Sequence, residues 1–277
     1  MKRMFDKIGI VGTGLIGGSL GLAIKKKGLA REVVGVSRRQ ASVALARKIK
    51  AVDRGGRSFS ILSGADFVIF CLPVEQIIRL APQVRRISGP GCLVTDVAST
   101  KREVTACLQR LFPHYVGSHP LAGSEKRGIA CADSGLFSGS LCVVAPSRQT
   151  KKNDLAKVAA FWRKLGARVI TISAPRHDEI LGATSHLPHA LAFSLMNSLP
   201  KEFLAFSAGA LKDMTRIAAS DPELWSGIFL SNRGKLLKAV SSFQGNMRAL
   251  TAALRRGNRK TVLKILQRAQ QKKEIYF

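Results

Sequence analysis

The sequence predicts an α/β fold, an N-terminal doubly wound parallel sheet followed by an all-helical C-terminal domain. Three observations carry that expectation. Short β-branched, apolar runs alternate with amphipathic stretches up to residue 172, and a glycine-rich turn closes the first run. Beyond Ser173-Ala174-Pro175 the strand signal gives way to helical periodicity, so the boundary is expected between residues 173 and 174. A chain of 277 residues with 46% hydrophobic content can bury such cores without covalent staples.

Taken in order, strands are expected at residues 8–11, 33–36, 67–71, 93–95, 115–117, 141–145 and 168–172. A continuous run such as Phe67-Val68-Ile69-Phe70 suits a strand buried on both faces of a parallel sheet. Helices are expected between them at 18–27, 41–50, 74–85, 101–111 and 155–165. In the second half, Pro188 falls within a helical pattern and predicts a kink or a helix start. Asp221-Pro222-Glu223 reads as an N-cap followed by proline at the first helical position. One long helix over 223–256 and a second over 260–273 complete the chain. Leu236, Val240, Phe243, Met247, Leu250 and Leu254 recur at spacings of three and four, forming one apolar stripe. Such a stripe suits a dimer interface or packing on the chain's own first domain.

Composition narrows the function. Five cysteines, odd in number and without C-x-x-C spacing, predict free thiols in a reducing compartment, the cytoplasm. No apolar run approaches the roughly 20 residues that span a bilayer, so no membrane partner is expected. The net charge is +28, but its basic residues are dispersed from Lys25-Lys26-Lys27 to Lys272-Lys273 without a nucleic-acid motif. A basic surface that attracts small anions is the expected reading.

Gly12-Thr13-Gly14-Leu15-Ile16-Gly17 follows the first strand and opens a helix, giving G-x-G-x-x-G in the context of a Rossmann-type fold. The first glycine makes the turn, the second admits a pyrophosphate, and the third permits close helix–strand packing. Residues 1–173 are therefore expected to bind a dinucleotide. About 20 residues on, where an NAD site places a carboxylate, the chain reads Gly35-Val36-Ser37-Arg38-Arg39. A hydroxyl and two guanidiniums suit a ribose 2′-phosphate, so NADP is expected in preference to NAD.

Two polar segments are expected at the same sheet edge, where open α/β sheets bind ligands. Asp96-Val97-Ala98-Ser99-Thr100-Lys101 follows one strand and presents Ser99. Val116-Gly117-Ser118-His119-Pro120-Leu121-Ala122-Gly123-Ser124-Glu125-Lys126 reads as a strand end opening into a loop that carries His119. In the helical half, Ser185-His186-Leu187-Pro188-His189 pairs two imidazoles, but no third ligand has a place, so no metal is expected. Asp213-Met214-Thr215-Arg216 puts a carboxylate and a guanidinium one turn apart, as an intrahelical salt bridge or a ligand site.

These segments, in this order from about residue 7 to about 250, resemble the prephenate/arogenate dehydrogenases of tyrosine biosynthesis. The resemblance implies a dinucleotide-binding domain, then a helical domain over 174–277 that binds substrate and forms a homodimer. It implies oxidative decarboxylation of a cyclohexadienyl substrate to 4-hydroxyphenylpyruvate or tyrosine. By the same resemblance, His119 polarises the ring 4-hydroxyl, and Ser99 orients that hydroxyl and the histidine. His189 lies near the substrate and Arg216 binds its carboxylate, while Ser124, Glu125 and Asp213 line or gate the pocket. Glu125 is open to two partners, a substrate ammonium or Arg216. With the last residue at Phe277, no ACT-like regulatory domain and no fused chorismate mutase are expected. Two alternatives remain: a dehydrogenase of the β-hydroxyacid or imine type, and a non-enzymatic dinucleotide or nucleic-acid binder. The first would place a lysine where this chain has His186 and His189.

Overall fold

The first apolar run becomes strand β1 (Phe5–Val11), and four strands are laid beside it in parallel. The structure, a computed structural model, describes residues 3–122 and 128–276. The chain alternates β1, α1 (Leu15–Lys26), β2 (Ala30–Val36), α2 (Gln40–Lys48), β3 (Arg54–Gly56), β4 (Phe67–Phe70), α3 (Val74–Ile87), β5 (Leu93–Asp96) and α4 (Arg102–Leu111). The sheet order is β3-β2-β1-β4-β5, so the order reverses between β1 and β4 and opens the dinucleotide crevice there.

Side chains along each strand alternate between two cores. Phe67 and Ile69 of β4 join Ile8, Ile10, Leu20 and Trp162 on one face of the sheet. Val68 and Phe70 join Val11, Ile77, Val84 and Leu108 on the other. This two-sided burial is what the β-branched runs encode. Strand β3 was not among the expected strands. Arg54-Gly55-Gly56 carries no apolar pattern, and the segment is a strand because it pairs in parallel with Val34, Gly35 and Val36 of β2.

A second sheet has the order β6 (Gly117–Pro120), β7 (Leu141–Ala145) and β8 (Arg168–Thr171), with α5 (Lys152–Lys164) before β8. Strand β6 runs antiparallel to β7, and β8 runs parallel to it. The expected strand at 115–117 is therefore displaced. Tyr115 only bridges Val94 of β5, and the chain then crosses to pair Gly117 with Ala145 and His119 with Val143. His119 lies inside a strand rather than in the loop beyond one.

From α6 (Ala174–Leu181) onward every regular element is helical among the described residues: α7 (Leu187–Ser198), α8 (Gly209–Thr215), α9 (Pro222–Ser231), α10 (Arg233–Arg255) and α11 (Arg259–Tyr276). Ser173 caps α6 through the backbone N–H of Arg176, and Asp221 caps α9 through Glu223 and Leu224. A π-helical turn, Gly182–His186, runs into α7, with Pro188 in the first turn of α7. The single helix expected over 223–256 is instead two. They divide at Asn232, whose side chain is buried and bonded to the Asp178 carbonyl and the His186 ring. Along the apolar stripe Leu236 is buried, whereas Met247 and Leu254 are exposed.

Candidate active site

The glycine turn is built as its spacing requires. Gly12 has φ +102°, and its N–H bonds the Val36 carbonyl at 2.8 Å. A side chain on Gly17 would collide with the Gly12 carbonyl oxygen. Gly14 differs: it caps α1, is exposed, and has no atom within 4 Å of where a Cβ would stand. The open N-terminus of α1 is thus free to meet an anion. Thr13 beside it is buried, and its Oγ1 has no partner among the described residues. Leu15 and Ile16 open α1, and Ile16 packs against the core.

A cavity of about 610 Å³ continues from Gly12 past the end of β2. Ser37, Arg38 and Arg39 line it, and Arg57 and Arg79 join them from distant positions. No carboxylate lines this cavity among the described residues. The set fits a dinucleotide: open space at a helix N-terminus for pyrophosphate, then guanidiniums where a ribose phosphate would sit.

Across the crevice lies a buried polar network. Asp96 at the end of β5 accepts from the Ala98 N–H (2.9 Å) and the Tyr115 hydroxyl (2.7 Å), and it forms an ion pair with Lys101. The segment that presents Ser99 is therefore anchored by buried neighbours. Asp96, Thr100 and Lys101 are buried structural groups, and Ser99 is half-buried between them.

His119 on β6 is partly accessible. Its Nδ1 lies 2.8 Å from Nε2 of His177, and Nδ1 of His177 lies 2.7 Å from Oδ1 of Asp178. The Asp178 carboxylate also accepts the backbone N–H groups of Lys101 (2.7 Å) and Arg102 (2.9 Å), capping α4 from a neighbouring helix. Burial pushes His119 well below the usual histidine value, and the charges of His177, Lys101 and His186 push the same way. Burial also lowers His177, although its bond to Asp178 opposes the shift. For Asp178 burial raises the value, yet the bonds from His177 and the two backbone donors prevail and hold it below the usual carboxylate range. Both imidazoles are thus neutral and Asp178 is ionised near pH 7.

The residues expected on the substrate side lie among the helices of the second half. His189 of α7 stacks on Trp225 of α9 with ring centroids 3.5 Å apart, and its Nδ1 meets the Ser185 carbonyl at 2.9 Å. The two histidines of the Ser185–His189 run part company, because His186 turns inward to Asn232 at 3.1 Å. Arg216 follows α8, is exposed, and adds to the lowering of His189. The salt bridge that its spacing offers with Asp213 is not among the ion pairs of the described residues, and Asp213 is exposed. Ser124 and Glu125 lie outside the described residues.

Sequence reasoning missed His177, Asp178, Asn232, Trp225 and the two further arginines. Of these, only the His177-Asp178 dipeptide at the first turn of a capped helix gave any local signal.

A glycine turn at the switch point and a neutral imidazole facing a helical second domain define a dinucleotide-dependent dehydrogenase. Residues 20–171 match the family described as prephenate dehydrogenase, nucleotide-binding domain, and residues 173–268 match prephenate dehydrogenase, dimerization domain. The chain is 34% identical over 251 residues to the prephenate dehydrogenase of Bacillus subtilis, covering 86% of this chain and 67% of that protein. It is 31% identical over 264 residues to the cyclohexadienyl dehydrogenase of Zymomonas mobilis, covering 91% and 89%. The crystal structure of prephenate dehydrogenase from A. aeolicus in complex with hydroxyphenyl propionate and NAD+ superposes with a TM-score of 0.94. That pair is 30% identical, with 98% of each chain covered. The chain belongs to the prephenate/arogenate dehydrogenase family, and it is an oxidoreductase.

Proposed function

We propose that this enzyme oxidatively decarboxylates prephenate or arogenate, with NADP preferred over NAD, giving 4-hydroxyphenylpyruvate or tyrosine. The observation that carries the reading is the partly accessible His119 imidazole, hydrogen-bonded at 2.8 Å to His177 of the helical half, in a chain whose first βα turn is built for a dinucleotide. When bound, the nicotinamide ring supplies the hydride acceptor. His119 takes the proton of the ring 4-hydroxyl, which pushes electron density toward the departing hydride. Ser99, on the loop after β5, orients the hydroxyl. Arg216, an exposed guanidinium outside any ion pair of the described residues, binds a substrate carboxylate, and His189 and Asp213 flank it. Ser124 and Glu125 belong to the same pocket by resemblance. The ring becomes aromatic as carbon dioxide leaves, so the chemistry asks for one base and one carboxylate ligand.

Support for NADP comes from Ser37, Arg38 and Arg39, reinforced by Arg57 and Arg79 around the same cavity. The related A. aeolicus structure holds NAD+, so the preference here rests on these arginines. The division into a dinucleotide domain (1–173) and a substrate domain (174–277) is supported by the cap that Ser173 places on α6. Exposed apolar side chains on α10 and α11 support a homodimer through that second domain. Five free cysteines support a cytoplasmic setting.

The test is dinucleotide reduction measured with prephenate and with arogenate, each with NAD and with NADP. NADP is expected to turn over faster at limiting concentration. His119→Asn is expected to lose about 10²–10⁴-fold in kcat while binding NADP normally by fluorescence titration. Turnover with NAD alone would refute the cofactor preference, and unchanged turnover in His119→Asn would refute the role of the base.

A further inference from the structure

The base proposed above has an acceptor side whose identity is fixed by groups that the reaction itself does not touch. Asp178 is ionised and can only accept, so the 2.7 Å contact requires the proton on Nδ1 of His177. A neutral His177 then presents Nε2 as a lone pair. The 2.8 Å contact with His119 requires the proton on Nδ1 of His119, and this leaves Nε2 of His119 unprotonated. Among the described residues, Nε2 of His119 has no hydrogen-bond partner. The two rings meet edge to face, at 63° with centroids 5.1 Å apart, so the order comes from the hydrogen bond and not from stacking.

We propose that His177 and Asp178 are positioning residues that lock His119 in the Nδ1–H tautomer, turning Nε2 into the proton acceptor for the reaction. The inference rests on the dehydrogenase reading for its purpose but not for its geometry. When the substrate proton arrives at Nε2, one N–H bond forms as the substrate O–H bond breaks. His119 becomes an imidazolium whose Nδ1–H points at His177, and the His177 Nδ1–H points at the Asp178 carboxylate. The new positive charge is thus met by a fixed negative charge relayed through one neutral ring.

The arrangement has its own rigidity. His177 is fully buried and Asp178 nearly so. The Asp178 carboxylate is clamped by the Lys101 and Arg102 N–H groups, and its backbone carbonyl is held by Asn232 at 2.7 Å. The charged and titratable neighbours that face the two rings are Lys101, Asp96, Asp178 and His186.

The experiment is a long-range ¹H–¹⁵N spectrum of the histidine-labelled protein at pH 7.5, free of substrate and dinucleotide. His119 and His177 are both expected as Nδ1–H tautomers. Alongside it, His177→Phe is expected to lower kcat by about 10²-fold to 10⁴-fold with KM nearly unchanged, the upper figure being the cost of a wrong tautomer in a triad. His177→Gln, whose amide oxygen can still accept from Nδ1 of His119, is expected to recover part of that loss. An Nε2–H tautomer for His119 in the native protein would overturn the proposal, as would full turnover in His177→Phe. If His177→Phe does not fold, the spectrum of the native protein decides alone. Because that spectrum needs no substrate, it stands even if neither prephenate nor arogenate is turned over.

Discussion

His186 is 1% exposed, and burial, with the charges of His177 and His189 pushing the same way, brings its value down to about 4 although Asp178 opposes the shift. In the unfolded chain the same ring titrates near 6.5. Between those two values the unfolded state binds a proton that the folded state refuses. Stability from this residue is therefore complete above pH 6.5 and is lost as the pH falls toward 4. The size is about 3.5 kcal/mol over that window, taking about 1.4 kcal/mol for each pH unit. His119 and His177 shift in the same direction and add to the loss. Urea denaturation at pH 7.5 and pH 4.5 checks this: the midpoint is expected to fall sharply in acid. The fall is expected to be smaller in His186→Gln, and an equal fall in both proteins would count against the assignment.

At the scale of elements, the turn between β1 and α1 separates two uses of glycine. Gly17→Ala drives a methyl into the Gly12 carbonyl and is expected to cost about 1–3 kcal/mol of stability. Gly14→Ala meets no atom in the free protein. Its melting temperature is expected to be unchanged while dinucleotide affinity falls at least tenfold, read by thermal melts and fluorescence titration. Equal effects of the two substitutions on melting would contradict the assignment of Gly14 to ligand approach. This turn was legible in the sequence because its geometry is local, as were β1, β2, β4 and β5, whose β-branched residues declare burial on both faces. Strand β3 was not, since Arg54-Gly55-Gly56 owes its conformation to β2. Nor was the break at Asn232, where the apolar period runs on and only partners at Asp178 and His186 explain the interruption. The site divides in the same way. Gly12 to Gly17, Ser37 to Arg39 and His119 stand in readable motifs. The partner of His119 lies 58 residues away, and nothing in the sequence around His119 points to it.

The whole molecule carries a net charge of +28, which favours encounter with an anionic substrate and a dinucleotide phosphate. It also leaves apolar surface uncovered on the second domain: Leu254 is 60% exposed, Leu266 55% and Ile275 72%. Large apolar side chains exposed along two neighbouring helices suit an interaction surface. The chain is expected to run as a dimer by light scattering, and Leu254→Glu with Leu266→Glu is expected to give monomers that keep the native circular dichroism. A monomeric wild-type protein would contradict the assignment of this face.

Asp178 caps α4 of the first domain from α6 of the second, and the same carboxylate orders the imidazole pair. One side chain therefore serves as both rivet and trigger guard. A chain whose first half has folded before α6 docks already possesses the glycine cradle, yet its His119 has no fixed tautomer. The order of the imidazole pair thus depends on the docking of α6, whereas the glycine cradle does not.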